Sequence, residues 1–521
     1  MISDTSLASR PVINLVQGHA HDVVDQAIKV ISNPAVGIYA RGSMLVRVVP
    51  HKSPAGTLTL AKQAENVHRP EGSVAIVEVK ESSLAEALTR HATFQKWNAK
   101  MQPEARNCPV EVARMILDRK GAGWDAIPRL RGVIHAPTLR PDHSVISEPG
   151  YDPASGLLFC SDRIWQQQPA SPTKQDGKRA LEYLARPLSG FPFVSDADRA
   201  AALALLITAV LRPALKTAPM FCVTAPAAGT GKSLLVDLAS ILSIGRTAAV
   251  MTPTPDDGEM EKRLGAILLA GDNVLNIDNV SHPLKSDFLC QALTQDEMQV
   301  RVLGLSKTAR ISPTALIAAT GNNLSLVGDL NRRVVQIRLD ARCERPDARE
   351  FDFDATKFAT ANRMKLATAA LTVVRSYLAC GTPPQVTAFG SFQDWSDTVR
   401  SALIWLGLPD CLGDVDAMRA EDPEKAELRG ILESLPRGRF TAKEIVAMTA
   451  GDADLREALE GLADRSGKIS SKRLGRYFLR HQRVVIGGRW IEPGAHSKNG
   501  TTWRVNEISA AKAEPSIADG W

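Results

Sequence analysis

Between Ala225 and Ser233 the chain reads Ala-Pro-Ala-Ala-Gly-Thr-Gly-Lys-Ser, a run whose residue types suit a polyphosphate. Gly229 and Gly231 let backbone N–H groups turn inward around an anion, and a helix starting at Lys232 adds the partial positive charge of its N-terminus. Lys232 would reach the β and γ oxygens of a nucleoside triphosphate, and the Ser233 hydroxyl would ligate Mg2+. Ala228, Gly229, Thr230, Gly231, Lys232, Ser233 and Leu234 are therefore the expected ATP-binding segment. The first glycine usual in such loops is Pro226 here, and proline also enforces a turn.

A cradle of this kind needs a strand to deliver it and a helix to leave it. Phe221-Cys222-Val223-Thr224 has the pattern of a short buried strand, and Leu234-Leu235-Val236-Asp237-Leu238 that of an apolar helix start. Forty-six residues beyond Lys232, the strand pattern Val274-Leu275-Asn276-Ile277 ends in Asp278, placed to hold the metal. The residue after it is Asn279, where many ATPases of this type place a glutamate, so Glu259, Glu261 and Asp272 stand as unranked candidates for the general base. A third strand, Ala315 to Ala319, leads to Asn322, whose amide would orient water or sense the γ-phosphate. Arg332 and Arg333, at the head of a strand from Val334 to Leu339, would stabilise the charge of the transferring phosphoryl group.

The surrounding sequence sets these motifs in a chain of 521 residues, 44% apolar and 23% charged, with room for about three domains. Its longest apolar stretch, Ala200 to Leu211, falls short of the ~20 residues that span a bilayer, and a cytoplasmic location is expected. Seven cysteines spaced more than thirty residues apart form no zinc or redox pair. Composition predicts an N-terminal α+β domain over 1–165, a Gln/Pro/Ser-rich linker over 166–178 and the ATPase over 179–345. A helical region over 346–436, a small module over 437–508 and a tail over 509–521 follow. In the first domain, strands are expected near Ala35–Tyr39, Met44–Val49 and Ser73–Lys80, with helices over Ser83–Trp97 and Val110–Arg119. His19-x-His21-Asp22 reads as the polar start of a helix, and so does Asp196-x-Asp198.

Net charge is +6, and it is concentrated. Residues 468–504 hold nine basic side chains and one acidic one, while residues 1–467 balance to zero. The pattern there predicts helices over Ala442–Met448, Asp454–Ala463 and Ser471–Gln482. A ribbon of Arg483–Ile486 and Arg489–Ile491 about Gly487-Gly488 follows, with a third strand over Thr501–Val505. This is a winged helix-turn-helix pattern. On its third helix Lys472, Arg473, Arg476 and Arg480 share one arc and Leu474, Tyr477 and Phe478 another, so one face packs and the other meets DNA phosphates.

The order Lys232, Asp278, Asn322, Arg332-Arg333 within about a hundred residues resembles the motor of superfamily 3 helicases, above all the primase-helicase ATPases of phages, plasmids and integrated mobile elements. Those motors carry a DNA-touching hairpin between the second and third motifs. Its match here is Met298–Gly304 and Ala309–Ser312 about Leu305-Ser306-Lys307-Thr308, with Lys307 at the turn. Gly132–Arg140 and Pro149–Asp152 also look like the segment that precedes such motors. The resemblance implies an α/β fold with a P-loop NTPase motor of the AAA+ kind, ATP and Mg2+ as cofactors, and a homo-oligomer, usually a hexamer. It further implies single-stranded DNA in the ring, 3′ to 5′ movement, and an arginine acting on a neighbouring subunit's nucleotide.

Overall fold

The computed structural model describes residues 10–50, 67–68, 73–161, 163–165, 169–302, 307–349, 351, 353–413, 423–463, 468–497 and 500–507. The chain divides into two compact units, one of Met1–Leu324 with Arg332–Gly413, the other of Asp414–Trp521 with Ser325–Asn331. The proposed tail over 509–521 lies outside the described residues. No described helix is long and apolar enough to cross a membrane.

The architecture is mixed α/β, and the first unit is organised around a mostly parallel sheet. Its strands are β1 (Met220–Ala225), β2 (Ala249–Met251), β3 (Val274–Ile277), β6 (Leu316–Asn322) and β7 (Val334–Arg338). They lie side by side in the order β7-β1-β6-β3-β2, all parallel, with Val67–His68 added antiparallel beyond β2. Every residue of β1 and of β3 is buried, as expected of parallel strands covered on both faces. That burial is why these strands read as continuous apolar runs rather than alternating ones.

Helix α1 (Lys174–Ala185) and helix α2 (Asp196–Leu211) precede the sheet. α3 (Lys232–Ile244) leaves the phosphate loop, and α4 (Asp257–Ala270) joins β2 to β3. α5 (Asp287–Thr294) leads into an antiparallel hairpin of β4 (Met298–Val302) and β5 (Lys307–Ile311), which stands apart from the main sheet. α6 (Ala355–Ala361) and α7 (Arg363–Ala379) follow the last strand.

Three sequence expectations change here. The strand expected over Ala35–Tyr39 is instead a 3-10 turn over Pro34–Val36, and strand begins only at Tyr39, over Tyr39–Arg41. Residues 174–178, assigned by composition to the linker, form the first turns of α1: Thr173 and Asp176 make a capping box that closes the helix start, with Thr173 Oγ1 accepting the Asp176 N–H. Residues 166–168 of that linker lie outside the described residues. The helix expected over Ser83–Trp97 ends at His91, and Thr93–Trp97 is a strand paired parallel with Val12–Asn14 and antiparallel with Pro103–Arg106. A partner eighty residues away overrides the local helical pattern. The N-terminal core is closed by helices Ala20–Ile31, Glu81–His91 and Val110–Asp118 through Val24, Ile31, Leu84, Leu88 and Ile116.

The second unit holds α8 (Pro423–Ser434), β8 (Arg439–Thr441), α9 (Ala442–Met448), α10 (Ala453–Ala458), α11 (Ser471–His481), β9 (Arg489–Ser497) and β10 (Gly500–Glu507). The three strands form an antiparallel sheet in the order β8-β10-β9. Leu428 and Ile431 of α8 share a core with Phe440, Leu474, Phe478 and Trp503, so α8 belongs to this unit rather than to the helical region before it. Arg483–Ile486 is not a strand. Only Ile486 bridges to Arg489, across Gly487 and Gly488 with φ of +58° and +77°, and the long partner of β9 is β10.

Candidate functional site

The parallel register brings the chemistry to one edge of the sheet. Ala225 lies beside Asn322, and Ile277 beside Ala319, so the phosphate loop, Asp278 and Asn322 all leave from adjacent strand ends. Gly229 and Gly231 have φ of +75° and +95°, the left-handed conformation that lets the loop curl and that a side chain resists. Gly231 caps α3, and Lys232 is its first residue.

Lys232 Nζ donates to Ala227 O at 2.9 Å across its own loop and to Asn322 Oδ1 at 2.7 Å. Burial lowers the Lys232 pKa from its ordinary value, and the nearby Asp278 charge works against that shift. Asp278 Oδ1 accepts from Ser233 Oγ at 2.8 Å, from Thr320 Oγ1 at 2.5 Å and from Asn276 Nδ2 at 3.3 Å. The Ser233 hydroxyl and Asp278 carboxylate are hard oxygen donors already facing one another, a donor set that suits Mg2+. Among the described residues no cluster of three or more His, Cys, Asp or Glu is arranged to hold a metal alone. Four residues after Ser233, Asp237 accepts the Ala248 N–H at 3.1 Å; burial, then the Asp278 charge, raises its pKa.

Asn279 follows Asp278 with φ +58°, and its N–H donates to Thr320 Oγ1 at 3.3 Å. Asp272 precedes β3 and so sits at the opposite edge of the sheet from Asp278. Glu259 and Glu261 lie in the first turns of α4, which starts at the strand ends that carry Asp278 and Asn322; Glu259 pairs with Lys262 at 2.6 Å. Arg332 and Arg333 are also distant from the loop. β7 runs parallel to β1 with Val334 beside Met220, so the pair marks the edge where β1 begins, about 16 Å from the loop at ~3.3 Å per residue. Lys307 is the first residue of β5, opposite Val302. Residues 303–306, with Leu305 and Ser306 of the expected turn, lie outside the described residues.

Two features escape a reading of the sequence. Thr320 stands two residues before Asn322, and strand periodicity alone gives no reason to pair it with Asp278. A cavity of about 550 Å3 opens beside Gly229, Thr230 and Gly231, walled by Phe191, Leu234, Phe351 and Phe353. Its walls come from segments some 160 residues apart, a distance over which no local signal operates.

In the second unit, α11 separates its faces as its periodicity predicts. Leu474 and Phe478 are buried, Tyr477 is half-buried against the same core, and Lys472, Arg473, Arg476 and Arg480 are exposed.

No family model and no curated protein matches this chain. Among solved structures, the apo A form of the NrS-1 C-terminal region is similar over 81% of this chain and 98% of its own, at 12% identity and a TM-score of 0.31. A second apo structure of that region covers 84% and 94%, at 12% identity and a TM-score of 0.36. SCCmec type IV Cch, an active helicase, covers 83% of this chain and 77% of its own, at 13% identity and a TM-score of 0.29.

Proposed function

We propose that the first unit hydrolyses ATP and that the chain uses the hydrolysis to unwind DNA. In this reading it works as a ring of identical subunits, six by the resemblance of its motifs, moving 3′ to 5′ in the replication of a phage, plasmid or integrated mobile element. The observation that carries the reading is the convergence of Lys232, Ser233, Asp278, Thr320 and Asn322 at one sheet edge.

ATP would lay its phosphates along Ala228–Leu234, within reach of Lys232. Ser233 and Asp278 would hold Mg2+, which neutralises charge on the β and γ phosphates. As Lys232 turns to the phosphates, Asn322 is released to orient the attacking water. That water forms a bond to the γ-phosphorus while the bond to the β–γ bridging oxygen breaks, giving ADP and phosphate, and the water's proton passes to a phosphate oxygen or to solvent. Arg332 and Arg333 lie too far from their own loop to stabilise this charge, which supports action on the nucleotide of a neighbouring subunit and hence assembly. Lys307 would engage single-stranded DNA, and Lys472, Arg473, Arg476 and Arg480 the phosphates of a duplex or fork.

A second reading is an ATP-switched DNA-binding protein that does not unwind. Asn279 favours it, because its amide accepts no proton where a carboxylate would. A forked duplex separates the two. Strand release that requires ATP and disappears in Lys232→Ala supports the helicase; ATP-dependent binding to the fork without release supports the switch.

A further inference from the structure

The proposed hydrolysis and unwinding leave the N-terminal α+β region without a task. It belongs to the same compact unit as the parallel sheet and meets α4 through a buried cation. Arg41, the last residue of the strand Tyr39–Arg41, is 4% exposed, and its guanidinium donates to Leu268 O at 3.0 Å and to Leu269 O at 2.5 Å. Both carbonyls belong to the last turn of α4, where unpaired acceptors form the negative end of the helix dipole. Among the described residues no carboxylate pairs with Arg41, its Nε has no partner, and burial pushes its pKa down to about 10. A charge without a counter-ion is costly to bury, and an apolar side chain would fill the space without that cost. What the guanidinium adds is direction: its planar fork fixes where α4 ends, whereas an apolar contact lets the helix slide.

The next residue touches the hairpin. Gly42 has φ of +59°, and a Cβ built on it would lie 2.7 Å from Arg310 O of β5, a backbone atom that cannot swing aside. Adjacent residues thus hold the end of α4 and the strand that begins at Lys307. α4 also meets the other strand of the hairpin, since a Cβ on Gly265 would lie 2.8 Å from Val300 Cγ1. Its opposite end begins at the strand ends that carry Asp278 and Asn322, about 21 Å away at 1.5 Å per residue. We infer that Arg41 is a positioning residue that, with Gly42, locks the end of α4 to the hairpin, so that a nucleotide-driven shift of α4 reaches Lys307 instead of being lost as slip. The N-terminal region is thereby a working part of the motor. The inference rests on the reading of the first unit as an ATPase that grips single-stranded DNA through its hairpin. Coupling of this kind is reciprocal: nucleotide changes DNA affinity by the same factor as DNA changes nucleotide affinity.

The test uses the full-length protein with Mg2+, a fluorescent oligothymidine and adenylyl imidodiphosphate, a non-hydrolysable ATP analogue. In the wild type the analogue should change oligothymidine affinity by roughly tenfold. Arg41→Met, which keeps an unbranched chain without the charge, should bind each ligand alone within about threefold of wild type while that change shrinks below about twofold. Arg41→Lys, which retains a cation and donors for the two carbonyls, should keep it above about fivefold. Gly42→Ala leaves Arg41 in place and presses on β5; it should cut the change to about threefold or less, and it decides the question if Arg41→Met does not fold. Undiminished coupling in Arg41→Met, or in Gly42→Ala where the first variant fails to fold, overturns the inference. So does a parallel weakening of both ligands with the tenfold change intact, which is what a merely structural role would give. A wild type that binds both ligands independently overturns it too, with nucleotide and DNA binding left standing. A wild type that fails to bind one or both overturns the motor reading, and the coupling falls with it.

Discussion

The sheet edge that carries Lys232 and the basic face of α11 both present cationic side chains, yet they are built in opposite ways. At the phosphate edge the polar groups face each other. Lys232 is held by Ala227 and Asn322, and Ser233, Thr320 and Asn276 converge on one oxygen of Asp278. On α11 the four cations face solvent, and their helix is anchored by apolar residues on its other side. The first arrangement is pre-organised: a ligand bound there would find donors already in place and lose little order in meeting them. The second is a row of long exposed side chains, of which Arg473 donates to Ala463 O at 3.0 Å, and a polyanion bound there would be sensitive to ionic strength more than to shape.

Breaking the pre-organised region should have the larger effect. Lys232→Ala removes the one cation that bridges the loop and Asn322, and we expect ATP hydrolysis, measured by phosphate release, to fall at least 100-fold. Fluorescence anisotropy with a short duplex should show affinity within about twofold of wild type, because α11 lies in the other compact unit. A parallel loss of duplex binding would mean that the two regions are one site.

The diffuse region should fail gradually. Lys472→Ala with Arg476→Ala removes two exposed cations from one helix face. Duplex affinity should drop roughly tenfold at low salt, and the slope of log affinity against log salt should become shallower by about 1.8. ATP hydrolysis without DNA should not change. An unchanged salt slope would remove α11 from the DNA-binding surface and weaken the contrast between the regions.

The same contrast governs what the sequence reveals. Strand, loop and helix around Lys232 are contiguous, so their types and spacing are sufficient, and the buried runs of β3 and β6 place Asp278 and Asn322 at their ends. The split faces of α11 follow from helical periodicity alone. Thr320 and the phenylalanines of the cavity were illegible because their roles depend on which strands are neighbours and on chain closure between residues 191 and 351. The helix limit at His91 is hidden for a related reason: the strand after it is fixed by its neighbours, Val12–Asn14 on one side and Pro103–Arg106 on the other. The capping box at Thr173 and Asp176, by contrast, was present in the sequence and was outweighed by the polar composition around it.

The smallest expected effect tests how far pre-organisation of the cradle extends along α3. The far end of that helix is clamped by Arg363, which donates to Ile241 O at 3.0 Å, to Ser243 O at 3.0 Å and to His135 O at 2.6 Å. Burial, then the charges of Arg246 and Arg363, push the His135 pKa down to about 4. The folded protein thus keeps this imidazole neutral, while the unfolded chain takes up a proton near the ordinary histidine value of about 6.5. Between those two values the unfolded state binds more protons, so stability falls as pH falls from about 6.5 toward 4. At pH 5.5 the contribution is on the order of 1 kcal/mol, or a few degrees in melting temperature. His135→Gln should flatten that part of the melting profile, while ATP affinity at pH 7.5 stays within about twofold. An unflattened profile would assign the acid sensitivity to other groups. A large loss of ATP affinity would show that the geometry of the loop depends on the clamp at the other end of its helix, a cooperativity that α11, anchored along its whole length by its own apolar face, does not share.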